Sequence, residues 1–235
     1  MKNRGRVVTA FVLALSLAGC KGKEPRQAAE DSTSARSDSN GAPSAPIALP
    51  HAVETAEAEA EDIQVDIDQG AWPAAEAKLA VLRSLADSLA AQGVPGPRRA
   101  AFGSALDTLS AVIVAKSKAY ALAAANRVSR IVTGMMAEYP TKVPSAVTYM
   151  DVAGRDALYG AQQSLWSEAA AAALEIGRNY AAVEAHVQAR DSTLDRRVTS
   201  EIQQLQDAVG ARSRGGAAKL AQALLDEVDL IEQTY

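Results

Sequence analysis

Three side chains of complementary chemistry follow one another at intervals of four residues: Asp151, Arg155 and Tyr159. Residues four apart share one face of an α-helix, so an acid four residues before an arginine predicts an ion pair along a helix. Together with the aromatic Trp166 these residues form our candidate site, where they could receive an anionic ligand or a partner protein. We favour a structural role for the pair, because a partly buried charge needs a counter-charge.

A second concentration of charge is acidic, and no basic residue interrupts it: Glu54, Glu57, Glu59, Glu61, Asp62, Asp66 and Asp68. Like charges four apart on a helix, such as Glu57 and Glu61, destabilise it by about 0.2–0.5 kcal/mol per pair. Divalent cations, a basic partner or the chain's own Lys116, Arg127 and Arg130 could compensate them. A solvated or internally paired helix face is the interpretation that we favour.

The residue types that most catalytic and metal chemistry requires are scarce. The chain has two histidines, His51 and His186, and one cysteine, Cys20, so it offers no Cys-x-x-Cys-His haem attachment and no internal disulfide. No glutamate precedes a histidine by three residues, as it does in di-iron bundles, and no nucleophile elbow or phosphate-binding glycine loop is present. We expect no catalytic residue, no metal site and no cofactor. A haem held by His186 and a methionine is conceivable, but core roles for these residues are favoured.

The overall charge limits the partners of the protein. The chain carries 28 acidic and 24 basic residues, a formal net charge of −4. An acidic chain is not attracted to the phosphates of nucleic acids, so we expect no nucleic-acid partner.

The candidate residues must be positioned by helices, because alanine, leucine, glutamate, glutamine and arginine dominate the chain from residue 51 onwards. Glycine and proline divide this region into segments of helical periodicity. We expect helices over about 52–69, 73–92, 98–139, 145–162, 165–190 and 192–210, and a last one after Gly216.

Two details of these helices are specific predictions. The segment from Arg98 to Tyr139 has no breaking residue, so we expect one long central helix, on the order of 60 Å if straight. Ser192 and Asp195 form a plausible N-cap pair for the helix that follows them. The fold class predicted is all-α, with six or seven helices in an elongated up-and-down bundle.

The first twenty residues have the pattern of an export signal. Lys2, Arg4 and Arg6 precede an apolar run from Val7 to Leu17, which is too short to span a bilayer as a helix. The ending Leu17-Ala18-Gly19-Cys20 resembles the lipobox of bacterial lipoproteins. That resemblance implies cleavage before Cys20 and acylation of Cys20, and Lys21 after it favours the outer membrane.

The chain divides into three parts on this interpretation: a cleaved signal peptide over 1–19, a lipidated cysteine with a disordered tether over 20–50, and a single all-α domain over 51–235. The tether has few large apolar residues, so it cannot bury enough surface to offset the entropy of ordering.

A short sequence likeness links two of the predicted turns. Gln69-Gly70-Ala71-Trp72 is followed by Ala75, and Ser164-Leu165-Trp166 is followed by Ala169. The spacing of tryptophan and alanine is similar to that in tetratricopeptide-type helical hairpins. The likeness is weak because the period is irregular and the long central helix does not belong to such an array, so a bundle is favoured.

These observations predict a lipid-anchored envelope protein, facing the periplasm, that acts as a protein-binding or scaffold module and is not an enzyme. The alternative is a periplasmic small-ligand or metal-binding bundle that serves transport or electron transfer. A buried polar pocket around Asp151, Arg155, Tyr159 and Trp166 would favour the alternative.

Overall fold

The computed structural model describes residues 48–235, and within them every regular element is an α-helix. The all-α prediction is therefore confirmed, but the described residues form nine helices rather than six or seven. Their bounds are α1 His51–Gln69, α2 Trp72–Ala91, α3 Gly96–Val114, α4 Lys118–Met136, α5 Ser145–Gln163, α6 Trp166–Ala181, α7 Glu184–Arg190, α8 Ser192–Gly210 and α9 Arg214–Glu232.

The long helices pack in two groups of four. In the first group α1 lies beside α2 and α4, and α3 completes the square. In the second group α5 lies beside α6 and α9, and α8 completes the square, with the short α7 against α8. Short turns between consecutive helices make neighbours antiparallel, so each group is an up-and-down four-helix bundle. We call them the first and the second bundle.

Each bundle has its own apolar core. The core of the first bundle is built from α1 to α4 and includes Phe102 and Leu109, both almost completely buried. The core of the second is built from α5 to α9 and includes Ile176 and Leu224. The two cores meet where α4 packs against α5, and we call this contact the junction.

The single long helix expected over 98–139 is wrong, because the chain turns between α3 and α4. Lys116 adopts a left-handed conformation with φ of 50°, and Ser117 donates its backbone N–H to the carbonyl of Val112 at 3.3 Å. This hydrogen bond closes a Schellman-type end, which usually uses glycine. A lysine is strained in this conformation, and packing of the bundle compensates the strain. Because glycine is absent here, no residue type in the sequence indicates the turn.

The segment 165–190 is likewise two helices instead of one. After α6 the backbone N–H of Val183 bonds the carbonyl of Tyr180 at 2.9 Å, and α7 begins at Glu184. Tyr180, Val183 and Val187 are all buried in the second core. Helix propensity alone does not indicate this break between α6 and α7, which coincides with the burial of these three side chains.

The N-cap pair predicted from Ser192 and Asp195 is also wrong by one position. Asp191 caps α8, because its Oδ1 accepts the backbone N–H groups of Thr193 at 2.8 Å and Leu194 at 2.9 Å. Asp195 is instead buried, and its Oδ1 accepts a hydrogen bond from the hydroxyl of Tyr180 at 2.8 Å.

The second bundle repeats the plan of the first at its turns. The α1–α2 turn Gln69-Gly70-Ala71-Trp72 corresponds to Gln163-Ser164-Leu165-Trp166 between α5 and α6. The α3–α4 turn Ala115-Lys116-Ser117-Lys118 corresponds to Ala211-Arg212-Ser213-Arg214 between α8 and α9. In all four turns the second residue has a positive φ, between 50° and 73°.

The export signal, Cys20 and all but the last three residues of the expected tether lie outside the described residues. Of those three, Leu49 packs against the first core and Pro50 precedes α1. None of the helices in the described part of the chain has the length and apolarity that crossing a membrane requires.

Candidate functional site

The junction between the bundles is held by polar side chains of α4, α5 and α6. Asn126 is fully buried, and its Nδ2 donates to the carbonyl of Val152 at 2.9 Å and to Oδ1 of Asp156 at 2.6 Å. Arg130 donates to Oδ2 of Asp156 at 2.7 Å and to Oε1 of Glu175 at 2.6 Å. Arg130 therefore serves the junction and does not compensate the acidic stretch of α1.

The predicted candidate residues lie beside this network on α5. Nη2 of Arg155 is 2.7 Å from Oδ2 of Asp151, and both side chains are less than one-fifth exposed. The same nitrogen lies 3.4 Å from Oε1 of Glu61 on α1, so Arg155 links the two bundles. Nη1 of Arg155 is buried without a hydrogen-bond partner.

Tyr159 also faces the first bundle. Its hydroxyl donates to Oε1 of Gln64 at 3.4 Å, and Nε2 of Gln64 donates to Oγ of Ser129 at 3.0 Å. Burial raises the pKa of Tyr159 to about 12, so the hydroxyl keeps its proton at neutral pH. Trp166 is separate from this group, since it begins α6 and packs, half-buried, against the second core.

An acidic cavity of about 420 Å³ opens next to this part of the junction. Five carboxylates from three helices line it: Glu54, Glu57 and Glu61 of α1, Asp151 of α5, and Glu232 of α9. Leu49, Met136 and Val143 provide apolar wall, and the exposed Lys142 is the one basic residue among the described lining residues. We call this space the acidic cavity.

Two of the carboxyl groups resist ionisation. Burial, together with the negative charges of Glu61, Glu232 and Asp151, raises the pKa of Glu57 to about 7, against an opposing effect of Arg155. Burial followed by the charge of Asp151 likewise raises the pKa of Glu232 to about 7. Glu232 exposes more of its surface than Glu57, which places it nearer the mouth of the cavity.

Three acids at the other end of the stretch, Asp62, Asp66 and Asp68, are paired within the first bundle. Nζ of Lys78 lies 3.4 Å from Asp62 and 3.6 Å from Asp66, and Nζ of Lys118 lies 2.8 Å from Asp68. Internal pairing therefore holds for this end of α1, through lysines other than the predicted Lys116. The end of α1 that contains Glu57 faces the acidic cavity instead.

The arrangement suits binding of a cationic group. In the region from 48 to 235 no three or more His, Cys, Asp or Glu side chains are grouped so that they could hold a metal ion. His186 lies apart from the cavity contacts, stacked on Tyr235 with ring centroids 3.9 Å apart. A wall of carboxylates with apolar patches suits an ammonium or guanidinium group on an alkyl stem.

A larger groove of about 530 Å³ lies between α6 and α8, lined by Tyr180, Glu184 and Ile202 among others. A groove of about 340 Å³ occupies the equivalent place between α2 and α3. Neither groove gathers like charges from several helices as the acidic cavity does. We therefore take the acidic cavity as the candidate functional site.

Sequence reasoning placed Asp151 and Arg155 correctly on one helix face but missed Glu232 as their neighbour. The final helix carries no local signal that pairs it with α1 or α5, since that proximity arises only when the second bundle closes.

Comparison of the chain with protein-family models, with curated proteins and with solved structures finds no match.

Proposed function

We propose that this protein is a lipid-anchored component of the bacterial envelope whose helical domain binds another envelope protein. In this proposal the acidic cavity receives a lysine or arginine side chain of the partner. The lipid anchor rests on the sequence Leu17-Ala18-Gly19-Cys20 and its resemblance to a lipobox. Several acyl chains on one cysteine would hold the domain firmly at the membrane, and Lys21 favours the outer membrane.

The observation that carries the proposed binding role is the excess of carboxylates around an open cavity. Ionising Glu57 is costly because its carboxyl is partly buried among other acids, and its raised pKa records that cost. A cation that entered the cavity would stabilise the ionised form of Glu57 and offset the cost of its ionisation. At and above neutral pH, where Glu57 is ionised, relief of the repulsion among these acids therefore favours binding of a positive group.

Size supports the same proposal. The volume of about 420 Å³ lies within the range of ordinary ligand pockets and exceeds what one metal ion requires. Apolar contact with Leu49 and Met136 would cover the alkyl stem of a long basic side chain.

Photo-crosslinking in intact envelopes tests the partner. A photoreactive amino acid replaces Lys142, which is exposed and lines the cavity, and a matched chain carries it at the exposed Gln204 of the α6–α8 groove. We expect a discrete protein adduct from position 142 only. The combined substitution Glu54→Gln and Glu57→Gln should abolish it. Equal adducts from both positions, or an adduct that survives the substitutions, would contradict the proposal.

The anchor has its own test. Mass spectrometry of the protein from its native envelope should find a chain that begins at an acylated Cys20, and Cys20→Ser should leave the precursor uncleaved or mislocalised. A mature chain that retains Met1, or that is cut elsewhere without lipid, would show that no lipid anchor exists.

A small organic cation is a second candidate ligand, because the cavity has the volume of a small-molecule site. Titration calorimetry of the full chain in detergent with spermidine distinguishes the two. Binding of spermidine that Glu57→Gln weakens, together with no crosslinked protein, would favour a small-ligand role. Preferential binding of Ca²⁺ over spermidine would contradict both candidates.

A further inference from the structure

The connection between the bundles leaves room for movement at the acidic cavity. The two cores are separate, and a loop over 137–144 that contains Pro140 joins α4 to α5. Across the junction α4 packs on α5, whereas α1 and α9 both contribute to the cavity wall and are not among the closely packed helix pairs. The bundles are therefore held together mainly by α4 and α5. On the cavity side α1 contacts the second bundle through two long hydrogen bonds, from Arg155 to Glu61 and from Tyr159 to Gln64, each 3.4 Å, so this side can widen when those two contacts break.

The geometry points to a latch that protons operate at the acidic cavity. With Glu57 and Glu232 protonated, α1 and α9 remain close on the two sides of the cavity. With both ionised, the first and second bundles separate there while the polar network of α4 and α5 acts as the hinge. A role of the latch in controlling partner binding rests on the proposed function. The movement itself requires no partner.

The charges around Glu57 give the direction of the movement. Two further acids, Glu54 and Glu61, lie on the same helix as Glu57. The neighbouring helix α5 adds Asp151 and Arg155, and α9 adds Glu232 and Asp229. The loop between α4 and α5 adds Lys142. Met136 is the contribution of α4 to the described wall, and α2 and α8 contribute no residue to it. Acids thus outnumber bases at this place, and ionisation produces net repulsion.

The nearby arginine does not remove this repulsion. Nη2 of Arg155 already contacts Asp151 at 2.7 Å and Glu61 at 3.4 Å. Its charge is therefore shared before Glu57 and Glu232 ionise. Separation of α1 from α9 would let water reach the new charges, which weakens their repulsion and lowers their desolvation cost.

The transition falls in a physiological range, because the pKa values of Glu57 and Glu232 are both about 7. A latch closed in acid and open above neutrality would present the carboxylates to a basic partner only when they carry charge. Binding of the partner's cation would then draw α1 and α9 together again.

Distance measurements between two spin labels test the latch in the full chain. Cys20→Ser removes the native thiol, and Ala58→Cys on α1 with Leu230→Cys on α9 places labels at two exposed positions. We expect a longer label distance at pH 8.5 than at pH 5.5, with a midpoint near pH 7. Adding Glu57→Gln and Glu232→Gln should give the short distance at both pH values, and Glu57→Gln alone should reduce the change.

The matched control is Glu59→Gln, which removes a carboxylate from α1 that does not line the cavity and should leave the pH response intact. A label distance that is the same at both pH values in the folded, otherwise native chain would overturn the latch. A pH response without any crosslink from position 142 would retain the latch and reject the proposed function. The reverse result, a crosslink of equal yield at both pH values and no movement, would reject the latch alone.

Discussion

The ionisation of Glu57 makes the stability of the protein depend on pH. Its pKa is about 7 in the folded chain against 4.5 for an ordinary glutamate. The folded state therefore binds more protons than the unfolded state between these values, so stability falls as pH rises through this window and the loss is complete above it.

Glu57→Gln should consequently stabilise the protein at pH 8, by about 2 kcal/mol, because glutamine resembles the neutral acid and carries no ionisation cost. At pH 4, where Glu57 is protonated in both states, the variant should differ little from the native chain. Urea unfolding at the two pH values measures the difference, with Glu59→Gln as control. An equal effect at both pH values would show that Glu57 ionises as an ordinary surface glutamate.

Arg155 is predicted to hold the junction together. Arg155→Ala would leave Asp151 partly buried without its counter-charge, and should lower the free energy of unfolding by about 3 kcal/mol. Arg83→Ala is the matched control, since Arg83 and its partner Asp107 are exposed and such pairs contribute about 0–1 kcal/mol. A stable Arg155→Ala chain that has lost its crosslink from position 142 would assign Arg155 to partner binding instead.

At the scale of single residues, the sequence predicted the interactions between residues that are close in the chain. Asp151 and Arg155 are four apart on one helix, and their ion pair is where the spacing predicts it. The contact of Arg155 with Glu61, and the approach of Glu232, join residues far apart in the chain. Such contacts depend on how whole helices pack, which residue types and local spacing do not encode.

At the scale of elements, helix formation was predictable and two helix interruptions were not. Gly70 marks the end of α1, and its φ of 73° is one that glycine adopts without strain. Lys116, Ser164 and Arg212 adopt similar values in equivalent turns, although side chains there are strained. The breaks at Gly70, near Ser164 and before Gly216 were placed correctly from the sequence. No residue type marks the turn at Lys116, which explains why α3 and α4 were expected to be one helix.

Two helical glycines should respond in opposite ways to the same substitution. A Cβ at Gly160 would lie 3.1 Å from the backbone nitrogen of Ala169, where α5 and α6 approach closely, whereas a Cβ at the exposed Gly103 of α3 meets nothing within 4 Å. Gly160→Ala should destabilise the protein by about 1–3 kcal/mol, because backbone must move. Gly103→Ala should stabilise it by about 0.5–1 kcal/mol through helix propensity. Thermal unfolding of both variants checks the sign, and a stable Gly160→Ala chain would show that the helix pair can separate without cost.

At the scale of the whole molecule, the structure is two bundles of one plan joined at a polar contact. The turns Ala115-Lys116-Ser117-Lys118 and Ala211-Arg212-Ser213-Arg214 show the correspondence most clearly. The sequence likeness noticed around Trp72 and Trp166 belongs to the same correspondence between bundles. It was too short to predict this correspondence, because the core positions need only be apolar and differ between the two bundles.

Separate cores and a polar junction predict that the bundles fold independently. Residues 143–235 contain every member of the second core, so this fragment should be helical and unfold cooperatively by itself. It should be less stable than the whole chain, because Asp156 and Glu175 lose Arg130. The control fragment, 48–94, divides the first bundle and loses Phe102 and Leu109 from its core, so it should remain largely unfolded. Circular dichroism with urea unfolding of both fragments measures this. An unfolded 143–235 fragment would mean that the junction is part of one shared folding unit, and a hinge between independent bundles would then lose its structural basis.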